Sequence, residues 1–150
     1  MFEETTLSHL VRPQDLNHHG TLFAGQIAKW LLEAGLIAAS TVIGKSEDIV
    51  CVHLNGINFK KPVNNGALIE IRSRMALLGK TSITVHSQVF AMKEATPLIT
   101  SMATFVTVDK DNKPYEHGYT LPAEYIAKNR QIFDEALNSK LSSYSAKSHG

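Results

Sequence analysis

The chain has 150 residues, 43% hydrophobic and 19% charged, with a formal net charge of +1 and a single cysteine. Such a chain builds one domain with a real core, and its near-neutral charge argues against a general nucleic-acid surface, which needs a basic excess. The lone Cys51 excludes an intramolecular disulfide and leaves no second thiolate for a Cys-based metal cluster.

No apolar run approaches the roughly 18 residues of a membrane span. The start, Met1-Phe2-Glu3-Glu4, has neither the basic opening nor the apolar core of a signal peptide. The expectation is a cytoplasmic protein with no membrane partner. It should form a single domain over residues 1–150, with a core over about 7–121.

His9–Arg12 reads as a short strand ended by Pro13. A polar, glycine-punctuated loop follows: Arg12-Pro13-Gln14-Asp15-Leu16-Asn17-His18-His19-Gly20-Thr21-Leu22-Phe23-Ala24-Gly25. It leads into the longest helical pattern, Gln26 to Val42. Phe23, Ile27, Trp30, Leu31, Ala34, Ile37, Ala38 and Thr41 recur at helical spacing. Leu32 and Leu36 fall about half a turn away, and only Gln26, Lys29 and Glu33 make a narrow polar strip. A helix apolar on two sides is buried on two sides. One side calls for a sheet, and the other for a second copy of the chain.

Beyond Gly44-Lys45-Ser46-Glu47 the period changes to two. Val50, Val52 and Leu54 alternate with Cys51, His53 and Asn55, and Gly56 marks a bulge. Leu68–Leu77, Ser82–Met92 and Ile99–Val108 read as three further strands rich in β-branched residues. Short turns at Gly79-Lys80 and around Glu94–Pro97 join them. The spacing predicts an antiparallel meander with one long helix on it, an α+β layer. Pro122 opens a second helix over 122–138, and the serine-rich stretch 139–150 is expected to fray as a tail.

The chemistry concentrates where the loop meets the helix. Free N–H groups and the positive end of the helix dipole converge near Ala24 and Gly25, which suits acyl transfer at a carbonyl. Asn17 carries an amide that donates and accepts at once; its structural alternative is an Asx-turn. Glu33 is the only acid on the helix, so it is the carboxylate available to activate water; alternatively it belongs to an exposed strip with Lys29. Asp15 is a fallback carboxylate with a capping role as the better reading. His18 and His19 lack partners at ligand spacing, so no metal site is expected. His53 and Asn55 share the polar side of a strand and could face a cleft. Lys61 and the turn Gly79-Lys80-Thr81-Ser82 offer a charge, hydroxyls and N–H groups to phosphates, although Gly-Lys at a hairpin is also ordinary turn chemistry. Neither a Ser-His-Asp order nor a G-x-S-x-G elbow is present.

The same loop resembles the entry to the central helix of hotdog-fold acyl-CoA thioesterases of the YciA-like and brain acyl-CoA hydrolase branch. That branch carries a pattern close to R-P-x-D-x-N-x-x-G-x-x-F/H-G-G. Arg12, Pro13, Asp15, Asn17, Gly20, Phe23 and Gly25 fit it, and Ala24 replaces the first of the paired glycines. Gly56-Ile57-Asn58-Phe59-Lys60-Lys61-Pro62-Val63 and Leu78-Gly79-Lys80-Thr81-Ser82-Ile83 match the same branch, in order, from about His9 to Asp109.

The resemblance implies an antiparallel sheet wrapped around the helix and hydrolysis of an acyl-CoA thioester by water, with no cofactor. It implies Asn17 at the thioester, Gly25 and Ala24 at the oxyanion, and CoA contacts from Lys61, Lys80, Thr81 and Ser82. A homodimer, or a hexamer made of three dimers, follows from it as well. This sequence departs at one point: where many relatives carry the acid it has Leu32, with Glu33 one residue further on. Two other readings remain, an acyl-CoA-binding protein without hydrolysis and a hotdog hydratase or dehydratase.

Overall fold

The computed structural model describes the backbone of residues 2–149 and the side chains of residues 2–142. Its elements are β1 (Thr5–Leu10), α1 (Ala24–Ile43), β2 (Ile49–Phe59), β3 (Leu68–Leu78), β4 (Ser82–Ala91), β5 (Ile99–Thr107), α2 (Ala123–Lys128) and α3 (Arg130–His149). All strand pairs are antiparallel, in the order β1-β3-β4-β5-β2. The five-stranded sheet wraps α1, the hotdog arrangement.

Only β3-β4-β5 form a meander. The expected four-strand meander is corrected by β2, which follows α1 and crosses to pair with β5 at the far edge. The helix between β1 and β2 makes this possible, because it carries the chain across the whole sheet before the next strand begins. Gly56, at φ 114°, lies within the register shift between Leu54 and Ile57, as its place in the pattern suggested.

α1 is held by two core clusters. Ile27, Trp30, Leu31 and Ala34 pack with Val11, Ile69, Ile71, Val89 and Ile99. Ala38, Ala39 and Val42 pack with Ile83, Val85, Ala103 and Phe105. Small residues let helix and sheet approach: a Cβ at Gly35 would sit 3.0 Å from Phe105 Cζ. By length and composition alone α1, interrupted by Lys29 and Glu33, would also suffice to cross a membrane, yet 44% of its apolar window is buried inside the protein.

Leu32 and Leu36, on the second side of the helix, are half-buried at the margin of the second cluster, against which Phe2, Tyr119, Leu121 and Tyr125 also pack. Phe23, Ile37, Val52 and Phe59 are exposed, and β1 and β2 are the two edge strands of the sheet.

The C-terminal helical region differs from the expectation in two ways. It breaks at Asn129 into α2 and α3, and α3 runs to His149 instead of ending at 138. Neither Gly nor Pro interrupts residues 130–149, so nothing of that kind stops α3 short of His149. The final residue, Gly150, lies outside the described residues. α3 packs on the sheet face away from α1, through Ile132, Phe133 and Ala136 on Ala76, Leu77 and Met102. A register shift between Met75 and Leu77 brings Ala76 and Leu77 together to that face.

Gly35→Val should destabilise the fold by about 1–3 kcal/mol, the usual cost of overpacking a tight contact. Chemical denaturation measures it; an unchanged midpoint would mean that α1 does not rest on Phe105.

Candidate active site

The entry loop is built around one buried carboxylate. Asp15 closes a 3-10 turn begun by Pro13 and is 1% exposed. The backbone N–H of Arg12 donates to its Oδ2 at 2.9 Å, and Gln26 Nε2 donates to its Oδ1 at 2.7 Å. The Arg12 guanidinium lies 3.8 Å from the same carboxylate. The Arg12 N–H bond holds the Asp15 pKa below its ordinary 3.8; burial opposes this, and Gln26 and the Arg12 charge reinforce it. Asp15 thus clamps the loop to the first turn of α1, in keeping with the capping role read from sequence.

Asn17 braces the next turn. Its Oδ1 accepts from the N–H of His19 at 2.8 Å and of Thr21 at 3.1 Å, while its Nδ2 donates to Thr21 Oγ1 at 3.0 Å. Gly20, at φ 78°, reverses the chain between them. Leu22 N–H donates to the Val63 carbonyl, so the loop is tied to the segment after β2. An amide has two N–H protons, and Thr21 uses one of the two on Asn17.

The helix then starts without a cap. Phe23 occupies the N-cap position in extended conformation and makes no side-chain cap bond; its carbonyl receives the N–H groups of Gln26 and Ile27. The N–H groups of Ala24 and Gly25 lie in the first turn, where no intrahelical acceptor exists. Both residues are exposed. The Phe23 ring lies over Gly25, and a Cβ there would collide with Phe23 Cε1.

Beside this helix start opens a cleft of about 370 Å3. Asn17, Thr21 and Ala24 line one side, and Phe59, Lys61 and Ile99 contribute to the rest. The structure therefore brings Asn17, Ala24 and Lys61 together, with Gly25 next to them. Phe59 and Ile99 escaped the sequence reading as site residues, because each reads simply as one apolar residue of a strand. Lys60 also lines the cleft; a Lys-Lys pair after a strand was the signal for it.

The other candidates stand apart from this cleft. Glu33 is exposed on α1, eight residues and roughly 12 Å along the helix from Gly25. No Lys29–Glu33 ion pair is formed among the described residues, whereas Leu32 beside it is half-buried in the core. His53 is exposed on the β2 edge. Asn55 faces a second cleft, under α3. Lys80, Thr81 and Ser82 form the β3–β4 turn. Their carbonyls are held by the N–H of His117, the N–H of Thr107 and the His117 ring respectively. The His18 and His19 rings lie 4.0 Å apart, tilted by 43°.

The loop, helix start and cleft have a family context. The sequence profile of the thioesterase superfamily matches residues 19–97, from the site loop through β4. The chain belongs to the thioesterase superfamily. An acyl-CoA thioester hydrolase of Buchnera aphidicola, itself uncharacterised, is 30% identical over 117 residues, covering 73% of this chain and 85% of its own. The acyl-CoA thioester hydrolase YciA of Salmonella typhimurium is 29% identical, over 74% of this chain and 87% of its own. Among solved structures, a hexameric thioesterase of Yersinia pestis superposes with a TM-score of 0.67 at 28% identity, over 78% of this chain and 93% of its own.

Asp15→Asn tests the clamp of this superfamily member's site loop. A carboxyl whose folded pKa is depressed adds stability above its unfolded pKa and loses it as pH falls through the folded value. The variant should be about 1–3 kcal/mol less stable at neutral pH, the scale of hydrogen bonds to a buried charged group. The gap should close as pH drops below 3.8. Urea titrations from pH 7 to pH 3 measure both; a gap independent of pH would contradict the charged clamp.

Proposed function

We propose that the chain is an acyl-CoA thioesterase, hydrolysing the thioester to a free acid and CoA. The observation that carries this is the uncapped helix start opening on a largely apolar cleft with lysines among its lining. The Ala24 and Gly25 N–H groups are donors for the oxyanion that forms as water attacks the carbonyl. The second Nδ2 proton of Asn17 is available to a water or the thioester oxygen. The apolar lining receives the acyl chain, and Lys61 attracts CoA phosphate. As the intermediate collapses, the carbon–sulfur bond breaks and CoA leaves as thiolate. A thioester is already activated, so this scheme calls for no cofactor.

Glu33 is the proposed general base, and its distance along α1 sets a condition. It cannot reach the water beside its own Gly25, so it serves the site of a second subunit. A homodimer joined along the free β2 edge, or a hexamer of three such dimers, supplies that arrangement. His53 is proposed as a CoA contact near that edge, and Lys80, Thr81 and Ser82 as contacts for the nucleotide; Asn55, expected beside His53, is instead bonded to Ser139 under α3 and drops out of the CoA contacts. The protein is proposed to act in the cytoplasm and to fold as one domain over residues 1–150.

A second reading is favoured by one residue. Leu32 fills the usual acid position with a half-buried apolar side chain, which suits an acyl-CoA-binding protein without hydrolysis. A panel of acyl-CoAs with free thiol as readout separates the two: sustained CoA release supports the enzyme, and saturable binding without release supports the binder.

Asn17→Ala should lower kcat more than it raises KM, because the interaction is made chiefly in the transition state. Turnover within about twofold of wild type, under roughly 0.4 kcal/mol, would reduce Asn17 to a loop brace. Glu33→Gln should lower kcat on the order of 10²-fold and remove the acidic limb of the pH–rate profile. If instead Leu32→Asp raises a feeble activity while Glu33→Gln changes nothing, the binding reading stands. Sedimentation at micromolar concentration should show a dimer or larger; a stable folded monomer would remove the shared site.

A further inference from the structure

The cleft beside the helix start has a floor that cannot deepen. Leu22, Val63 and Ile99 line it and are 5%, 4% and 0% exposed. All three belong to the core cluster that also holds Ile27, Leu31, Ile69 and Val89. A core packed to the usual density leaves no path for a hydrocarbon chain. A group entering the cleft therefore lies against the core and does not pass between α1 and the sheet. The floor belongs to this chain alone, so a partner along β2 would add wall and no depth.

The walls are held in place as well. Lys60 N–H donates to the Leu98 carbonyl at 2.8 Å, and Leu22 N–H donates to the Val63 carbonyl at 2.8 Å. These bonds tie the segment after β2 to the start of β5 on one side and to the site loop on the other. Phe59 ends β2 as the register partner of Ile99. At 49% exposure it is the one large apolar side chain of the lining that lies outside the core. It is thus the large apolar wall that a substitution can remove without cutting into the floor.

The space itself fixes the size of the guest at about 370 Å3. An apolar cavity of about 150 Å3 holds one benzene, so a space of this size takes on the order of fifteen heavy atoms. The thioester, the attacking water and the end of the CoA arm share it, which leaves an acyl chain of about six to eight carbons. We propose that the cleft admits acyl groups up to this length and no longer, with Phe59 as the residue that sets the limit. The inference rests on the thioesterase reading and names its substrate class, short- to medium-chain acyl-CoAs. Longer chains leave their last methylenes in water, where they contribute nothing to binding.

Thiol release by the full chain from straight-chain acyl-CoAs, acetyl to palmitoyl, tests this. kcat/KM should rise about fourfold per carbon, the worth of one buried methylene, as far as hexanoyl or octanoyl, and then level or fall. Phe59→Ala should move the break to decanoyl or beyond, and Phe59→Trp should move it to shorter chains. Opposite shifts from the two variants are not a result that damaged folding produces. A wild-type series still rising at dodecanoyl, or a break that neither variant moves, would overturn the proposal. If no acyl-CoA releases thiol, the hydrolysis reading fails, and the limit is read instead from Kd by calorimetry over the same series. A Kd that keeps falling to palmitoyl, or no binding of any acyl-CoA, then overturns the limit too.

Discussion

Everything at the first cleft depends on an α-helix that begins without a cap. A helix start leaves donors unsatisfied, and most chains spend a Ser, Thr, Asp or Asn there. This chain spends Phe23 and lets two small residues, Ala24 and Gly25, present their N–H groups outward. Such a start is tolerable only if other forces hold the helix in place. Two clusters of core residues do so along its length, and the buried Asp15 clamps the approach through Gln26. The rigid scaffold and the unsatisfied donors are two sides of one arrangement.

The sequence conveyed the parts of this that are periodic. The helix, the strands and the Gly56 bulge all follow from spacing, because burial on one face repeats every two or 3.6 residues. The place of β2 was illegible. Its alternation is the same whether it pairs with β3 or β5, and topology is set by where α1 delivers the chain. Tyr119 and Leu121, which pack against the second cluster beside Leu32 and Leu36, come from a segment with no periodic signal at all.

At the site, the residues gathered by a short loop were readable, and those gathered by tertiary contact were not. Asn17, Ala24 and Gly25 are close in sequence, so their proximity needs only a turn and a helix start. Phe59 and Ile99 reach the same cleft from two paired strands.

The free β2 edge is not a plain one. Its eleven residues contain two register irregularities, between Cys51 and His53 and between Leu54 and Ile57. Each adds twist and bends the strand. A flat, foreign strand could follow such an edge for only a few residues before its hydrogen bonds fell out of step. The kinks therefore work against the indiscriminate stacking by which exposed strands aggregate.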